Sequence, residues 1–153
     1  MIPNGFEQIV GDWTGSNRLH TVWIPENPIS DSVSNCSVRK VANGQSIELD
    51  YSWEYGGEKQ TGLMIIRSPK DKESVDIYWL DSWHLSNLYL LSEGAIKDGV
   101  ISVMGHYKVE GHPDWGWRTD FEVSGADSFS FTMYNVTPEG EESLAVESKF
   151  TRV

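Results

Sequence analysis

Thiol chemistry is almost missing from this chain, which carries one cysteine, Cys36. A single thiol closes no intramolecular disulfide, and four histidines without a second cysteine give no zinc-finger spacing. A reducing compartment is the expectation. Long apolar runs are missing as well: nothing approaches the ~18 residues of a membrane-crossing helix. The opening Met1-Ile2-Pro3-Asn4-Gly5-Phe6-Glu7 has neither a basic segment nor an apolar run of signal-peptide length. The sequence therefore reads as cytoplasmic, with no membrane partner. Positive charge is scarce too, with 12 Lys and Arg against 23 Asp and Glu and a net charge of −11. Such a field repels phosphate backbones and anionic headgroups, which argues against nucleic acid as a partner.

What is present is an ordinary globular composition rich in rings. The chain has 153 residues, 39% hydrophobic and 23% charged, which fits one domain over residues 1–153. No repeat, linker or low-complexity segment divides it. Seven Trp, six Tyr and five Phe are a large amphipathic payload for this length.

The dominant period is two. Ile47-Glu48-Leu49-Asp50-Tyr51-Ser52-Trp53-Glu54 alternates apolar and polar side chains, the pattern of a half-buried strand. It lies between the turn formers Asn43-Gly44 and Gly56-Gly57, so hairpins are expected on both sides. The same reading predicts strands near 12–24, 33–41, 46–55, 58–67, 74–82, 84–92, 99–109, 116–124, 128–136 and 143–152. Ser92-Glu93-Gly94 and Lys97-Asp98-Gly99 are among the expected separators. Only residues 3–10 read as a short helical turn. About ten meandering strands either leave two edges exposed or close on themselves, and closure removes the edge liability. An all-β, up-and-down antiparallel barrel is the expected fold, with a two-sheet sandwich as the alternative.

Parity along each strand assigns faces. On the first strand Trp13, Gly15, Asn17, Leu19, Thr21 and Trp23 point inward, and later strands add Tyr51, Trp53, Trp79, Asp81, Trp117, Phe121, Phe131, Leu144 and Val146. The interior is aromatic but carries polar groups, which a dry core accommodates only with partners. Two states stay open at this point, a filled barrel and a barrel with a ligand-sized cavity.

Gly11-Asp12-Trp13 at the first strand and Arg152 at the last resemble the structural signature of the calycin superfamily of lipocalin-like barrels. The resemblance implies that Trp13 plugs one barrel end and Arg152 packs across it, a structural role for Gly11, Trp13 and Arg152. The longer string Val10-Gly11-Asp12-Trp13-Thr14-Gly15-Ser16, with Trp79-Leu80-Asp81-Ser82-Trp83-His84 and Lys149-Phe150-Thr151-Arg152, resembles the family called domain of unknown function 1579. Its members carry no assigned activity. A haem-binding lipocalin-like family, the nitrobindin type, also opens with Gly-x-Trp-x-Gly and uses a histidine near the C-terminal strand as iron ligand. Here that strand has no histidine. Haem would have to rely on His84, His106 or His112, and no cofactor is expected.

The remaining motifs are weak. His20, His84, His106, His112, Asp81 and Asp114 show no close metal-ligand spacing, so no metal site is expected. No Gly-x-Ser-x-Gly elbow occurs, and Cys36 has no neighbour in sequence that would activate it. No catalytic residue is assigned. The expected ligand-binding residues are Tyr51, Trp53, Trp79, Asp81, His84, Trp117, Phe121 and Phe131, holding a small apolar or aromatic molecule inside the barrel. Two alternatives remain: an enzyme doing acid/base chemistry with Asp81 and His84, and a protein-interaction scaffold around a filled barrel. A homodimer is compatible with the composition.

Overall fold

Alternating side chains and tight turns set the architecture of the computed structural model, which describes residues 1–153. After a 3-10 turn (Phe6–Ile9) come β1 (Gly11–His20), β2 (Ile29–Val41), β3 (Ser46–Tyr55), β4 (Glu58–Arg67) and β5 (Ser74–Asp81). They are followed by β6 (Leu90–Lys97), β7 (Val100–Tyr107), β8 (Trp115–Val123), β9 (Ser128–Val136) and β10 (Glu142–Arg152). Each strand pairs antiparallel with its sequence neighbour, and β1 pairs with β10 from Trp13↔Arg152 to Leu19↔Val146. The sheet closes into a ten-stranded up-and-down barrel, so no edge is left exposed. No helix is long and apolar enough to cross a membrane.

Turn chemistry fixes the registers. Gly56 and Gly57 join β3 to β4 with φ of 61° and 80°, the left-handed pair that a two-residue hairpin needs. That turn aligns Tyr55 with Glu58 and carries the register through to Ile47↔Ile66. The inward set then meets across strands, as in the row Leu49, Met64 and Trp79.

One barrel end is closed. The 3-10 turn brings Phe6 and Ile9 beneath it, fully buried, with the Phe6 ring 5.5 Å from that of Phe121. Trp13, Phe129 and Phe150 complete the floor, and Trp13 meets Phe129 edge-on at 4.8 Å. At the opposite end lie the connections 21–28, 82–89, 108–114 and 137–141.

Four expectations fail here for identifiable reasons. Residues 84–92 do not form a strand: the chain turns through 82–89, and the strand runs from Leu90 to Lys97. The cause is the Asp81 side chain, which accepts from the amides of Trp83 and His84 at 2.9 Å each and bends the chain out of the ladder. Ser92-Glu93-Gly94 consequently sits within β6, where Gly94 pairs with both Val75 and Val103. Trp23 does not point inward but is 65% exposed, because β1 stops at His20 and the chain turns at once. Leu144 is only half-buried, since a bulge between Leu144 and Val146 breaks the two-residue parity and puts Ala145 inside.

Candidate functional site

The open end is organised around one carboxylate. Asp81 closes β5 and is buried, with no cation paired to it. Its charge is held instead by four donors: the Tyr51 hydroxyl at 2.8 Å and the Trp53 indole N–H at 3.2 Å on Oδ2, and the Trp83 and His84 amides on Oδ1. The Trp79 indole N–H in turn donates to the Tyr51 oxygen at 2.9 Å. All four lone-pair directions of the carboxylate are used, which is what lets a charge stay inside a barrel. Burial and the Asp81 charge together push the Tyr51 phenol well above its ordinary range, so it remains a donor.

A glycine makes this network reachable. Gly62 lies between Tyr51 on β3 and Asp81 on β5, paired to both. A Cβ at Gly62 would collide with the Tyr51 ring and its hydroxyl. The missing side chain therefore lets the phenol lie across β4 and deliver its O–H to the next strand.

Above the network the 82–89 connection places His84 among indoles. Its ring centroid is 5.6 Å from Trp53, 5.5 Å from Trp79, 4.8 Å from Trp83 and 5.5 Å from Trp117. Burial pushes the imidazole down to about 4 against the opposing pull of Asp81, so the ring is neutral at physiological pH. No hydrogen bond joins the His84 ring to the Asp81 carboxylate; only the His84 backbone touches it. Trp79 and Trp117 stack at 5.4 Å with their planes 21° apart.

These rings border a cavity of about 510 Å³ that opens to solvent. Trp79, Trp117 and His84 form one side, and Leu85, Leu88 and Tyr89 from the 82–89 connection form another. Leu90 and Tyr107 are inward residues of β6 and β7, while His106 and Lys108 stand at the rim. The Tyr107 hydroxyl is occupied by Asn135 at 2.5 Å, but the Trp117 indole N–H is buried without a partner. A hollow of about 480 Å³ on the outside of the barrel, bordered by Ser16, Ser128, Ser130, Lys149 and Thr151, contains no such unpaired buried group.

Of the residues expected to bind a ligand, Trp79, His84 and Trp117 border this cavity. Tyr51, Trp53 and Asp81 form the polar layer behind it. Phe121 and Phe131 lie outside it: their rings are 5.4 Å apart in the packed interior, with Phe131 also against Tyr51 at 5.5 Å. Gly11, Trp13 and Arg152 sit at the other barrel end, where the Arg152 guanidinium lies 4.3 Å over the Trp13 ring. The neighbourhood of Gly62, Leu85, Leu88, Tyr89 and Tyr107 escapes a reading by strand parity. A glycine inside the otherwise regular strand Glu58–Arg67 and the sequence Asp81-Ser82-Trp83-His84 are the signals that point there. Cys36 is buried and its thiol is pushed far up by desolvation, so it supplies no thiolate. No group of three or more His, Cys, Asp or Glu side chains stands close enough to share a metal ion.

No curated protein matches the chain in sequence. Solved structures match in fold. The crystal structure of Rv2717c from M. tuberculosis is similar over 100% of this chain and 99% of its own, with a TM-score of 0.66 and 9% identity. The S-type phycobiliprotein lyase CPES from Guillardia theta matches over 97% of this chain and 90% of its own, with a TM-score of 0.59 and 14% identity. A protein of unknown function from the DUF3598 family of Nostoc punctiforme PCC 73102 matches over 100% of this chain and 51% of its own, with a TM-score of 0.56 and 12% identity. Such identities carry the barrel architecture and nothing finer. Residues 4–152 also match a family in sequence, and the chain belongs to it: the family described as protein of unknown function (DUF1579).

Proposed function

We propose that this protein binds a small, flat, largely apolar molecule in the cavity at the open barrel end. The supporting observation is a mismatch in hydrogen bonding. All four acceptor directions of Asp81 are used, whereas the adjoining cavity is bordered by a His84 imidazole with no partner and by Trp117, whose buried indole N–H has none. An unpaired buried donor costs about 1–3 kcal/mol, a penalty relieved where a bound ligand shifts the Trp117 ring enough to bring an acceptor to it. The volume, about 510 Å³, lies in the usual range for small-molecule sites, and stacked Trp79 and Trp117 offer a flat face.

Binding is better supported than acid/base turnover. Both oxygens of Asp81 are occupied by donors, and no hydrogen bond joins its carboxylate to the His84 ring, which favours a binding role for the pair over proton transfer. A filled scaffold is disfavoured by the cavity itself.

The test is titration with a neutral naphthalene dye while intrinsic tryptophan emission is followed. Saturable quenching at a stoichiometry near one is expected, with Trp79→Ala weakening it more than Trp115→Ala on the neighbouring rim. Absence of saturable binding, or equal effects of the two substitutions, overturns the reading.

A further inference from the structure

We propose that the molecule held at the open end is an organic cation, a flat apolar body bearing a protonated nitrogen; this rests on the binding reading above and narrows it to a chemical class. Three independent features converge. The first is the aromatic enclosure. Trp79, Trp117, Tyr89 and Tyr107 border one cavity, and ring faces attract cations through their quadrupoles. The second is the charge behind the wall. Asp81 is a buried carboxylate with four hydrogen-bond donors but no cationic partner, and its negative potential reaches the cavity through Trp79 and His84. Hydrogen bonds stabilise that charge without cancelling it, and low-dielectric walls screen it poorly.

The third feature is an acceptor. The His84 ring makes no hydrogen bond within the protein while bordering the cavity, and a neutral imidazole offers one unprotonated nitrogen. A protonated amine would donate to that nitrogen while its body lies on the Trp79 and Trp117 faces.

One basic group opposes this arrangement. Lys108 stands at the rim, but its side chain is 90% exposed and its ammonium lies 3.5 Å from Asp114, so water and a carboxylate screen it. The net charge of −11 works in the opposite sense and draws cations toward the molecule.

The experiment compares three probes of one ring size: naphthalenemethanol, naphthylmethylammonium and naphthalenesulfonate, titrated by calorimetry into the full chain. The ammonium probe is expected to bind about tenfold tighter than the alcohol, with the sulfonate weakest. The advantage should largely survive about 0.5 M salt, because the charge that produces it is buried. In Asp81→Asn the alcohol should keep its affinity while the ammonium loses most of its lead. If that variant does not fold, His84→Phe, which removes the acceptor, should shrink the ammonium lead severalfold. Equal binding of ammonium and alcohol overturns the cation proposal and leaves the cavity reading intact, as does a lead that vanishes in salt. Failure of all three probes to compete for a site sensitive to Trp79→Ala overturns both.

Discussion

The two ends of this barrel are built from the same residue types and finished differently. At the closed end the Trp13 indole donates to the Ile9 carbonyl at 2.8 Å, and Arg152 lies over the ring while donating to Gln8, Val10 and Ala126 carbonyls. Both the indole and the guanidinium are bonded to carbonyls there. At the open end Trp117 buries an N–H without one, His84 shows an unpartnered ring, and Leu88 and Tyr89 stand 66% and 69% exposed. Aromatic content therefore does not separate the two ends; what differs is whether the polar atoms of the rings themselves are satisfied. A floor that must hold the barrel shut uses up its donors, and a mouth that must receive a molecule keeps some in reserve.

The largest test of that contrast is truncation of one tryptophan at each end. Trp13→Ala removes a fully buried ring, its stack with Arg152 and its bond to the 3-10 turn, and should cost about 3–5 kcal/mol. Trp117→Ala removes a half-buried ring facing a cavity and should cost well under half of that. Denaturant midpoints measure both. Equal losses would show that the open end is packed for stability after all.

A somewhat smaller effect is expected at the hinge of the polar layer. Gly62→Ala forces the Tyr51 ring away from β4 and so separates its hydroxyl from Asp81. The change should cost about 2–4 kcal/mol, since it combines overpacking with a buried carboxylate that has lost a donor. The double variant with Tyr51→Phe, whose hydroxyl is already gone, should add less than the sum of the two changes. Strict additivity would mean that Gly62 serves some purpose other than admitting the phenol.

His84 contributes a pH dependence whose sign is fixed by its burial. The imidazole sits at about 4 in the folded protein against an ordinary 6.5, so the unfolded chain takes up the proton first. The stabilisation from keeping this ring neutral is complete above pH 6.5 and is lost as pH falls from 6.5 toward 4. The loss amounts to about 2 kcal/mol once the ring edge that meets the cavity is discounted. Carboxylates held low by partners, such as Asp31 beside Arg18, act in the same acidic range but equally in all variants. The difference in stability between wild type and His84→Gln, measured from pH 7 to 4, should therefore narrow or reverse on acidification. A difference that stays constant would place the ring in water.

The sequence makes the barrel legible because parity, hairpin turns and closure all depend on local residues. Gly56-Gly57 and the alternation from Ile47 to Trp53 each act over a few positions, whereas the long-range pairing of Trp13 with Arg152 is legible only through the family resemblance. The candidate site is less legible, because it depends on a break in the pattern. Asp81 continues the inward parity of Val75, Ile77 and Trp79, but its carboxylate then captures two backbone amides and turns the next eight residues into a wall. Period-two reading carries the strand straight through that break, which is why Leu88 and Tyr89 read as strand residues; Phe121 and Phe131 are inward as parity says, but parity gives a face and not a depth, and Phe121 meets Phe6 toward the closed end. The three-strand row Tyr51, Gly62 and Asp81 is equally invisible along the chain, since it exists only once β3, β4 and β5 are in register.

The finest test asks what the reserved donor at the mouth is for. Trp117→Phe keeps a ring in the stack with Trp79 and deletes the one buried side-chain N–H that the folded protein leaves unpaired. Losing an unsatisfied donor removes its desolvation cost, while the smaller ring gives up some packing, so the two effects offset and stability should change by less than about 1 kcal/mol in either direction. At the closed end the matching change, Trp13→Phe, deletes a donor that is bonded to Ile9 and must cost more, because the Ile9 carbonyl is left without its partner. The binding readout should run the other way. Trp117→Phe should weaken a probe that carries a hydrogen-bond acceptor by severalfold while leaving an all-carbon probe of the same shape nearly unaffected, and Trp13→Phe should alter neither. If Trp117→Phe destabilises as much as Trp13→Phe and leaves both probes unchanged, then the unpaired N–H is a packing accident and the two ends of the barrel differ only in shape.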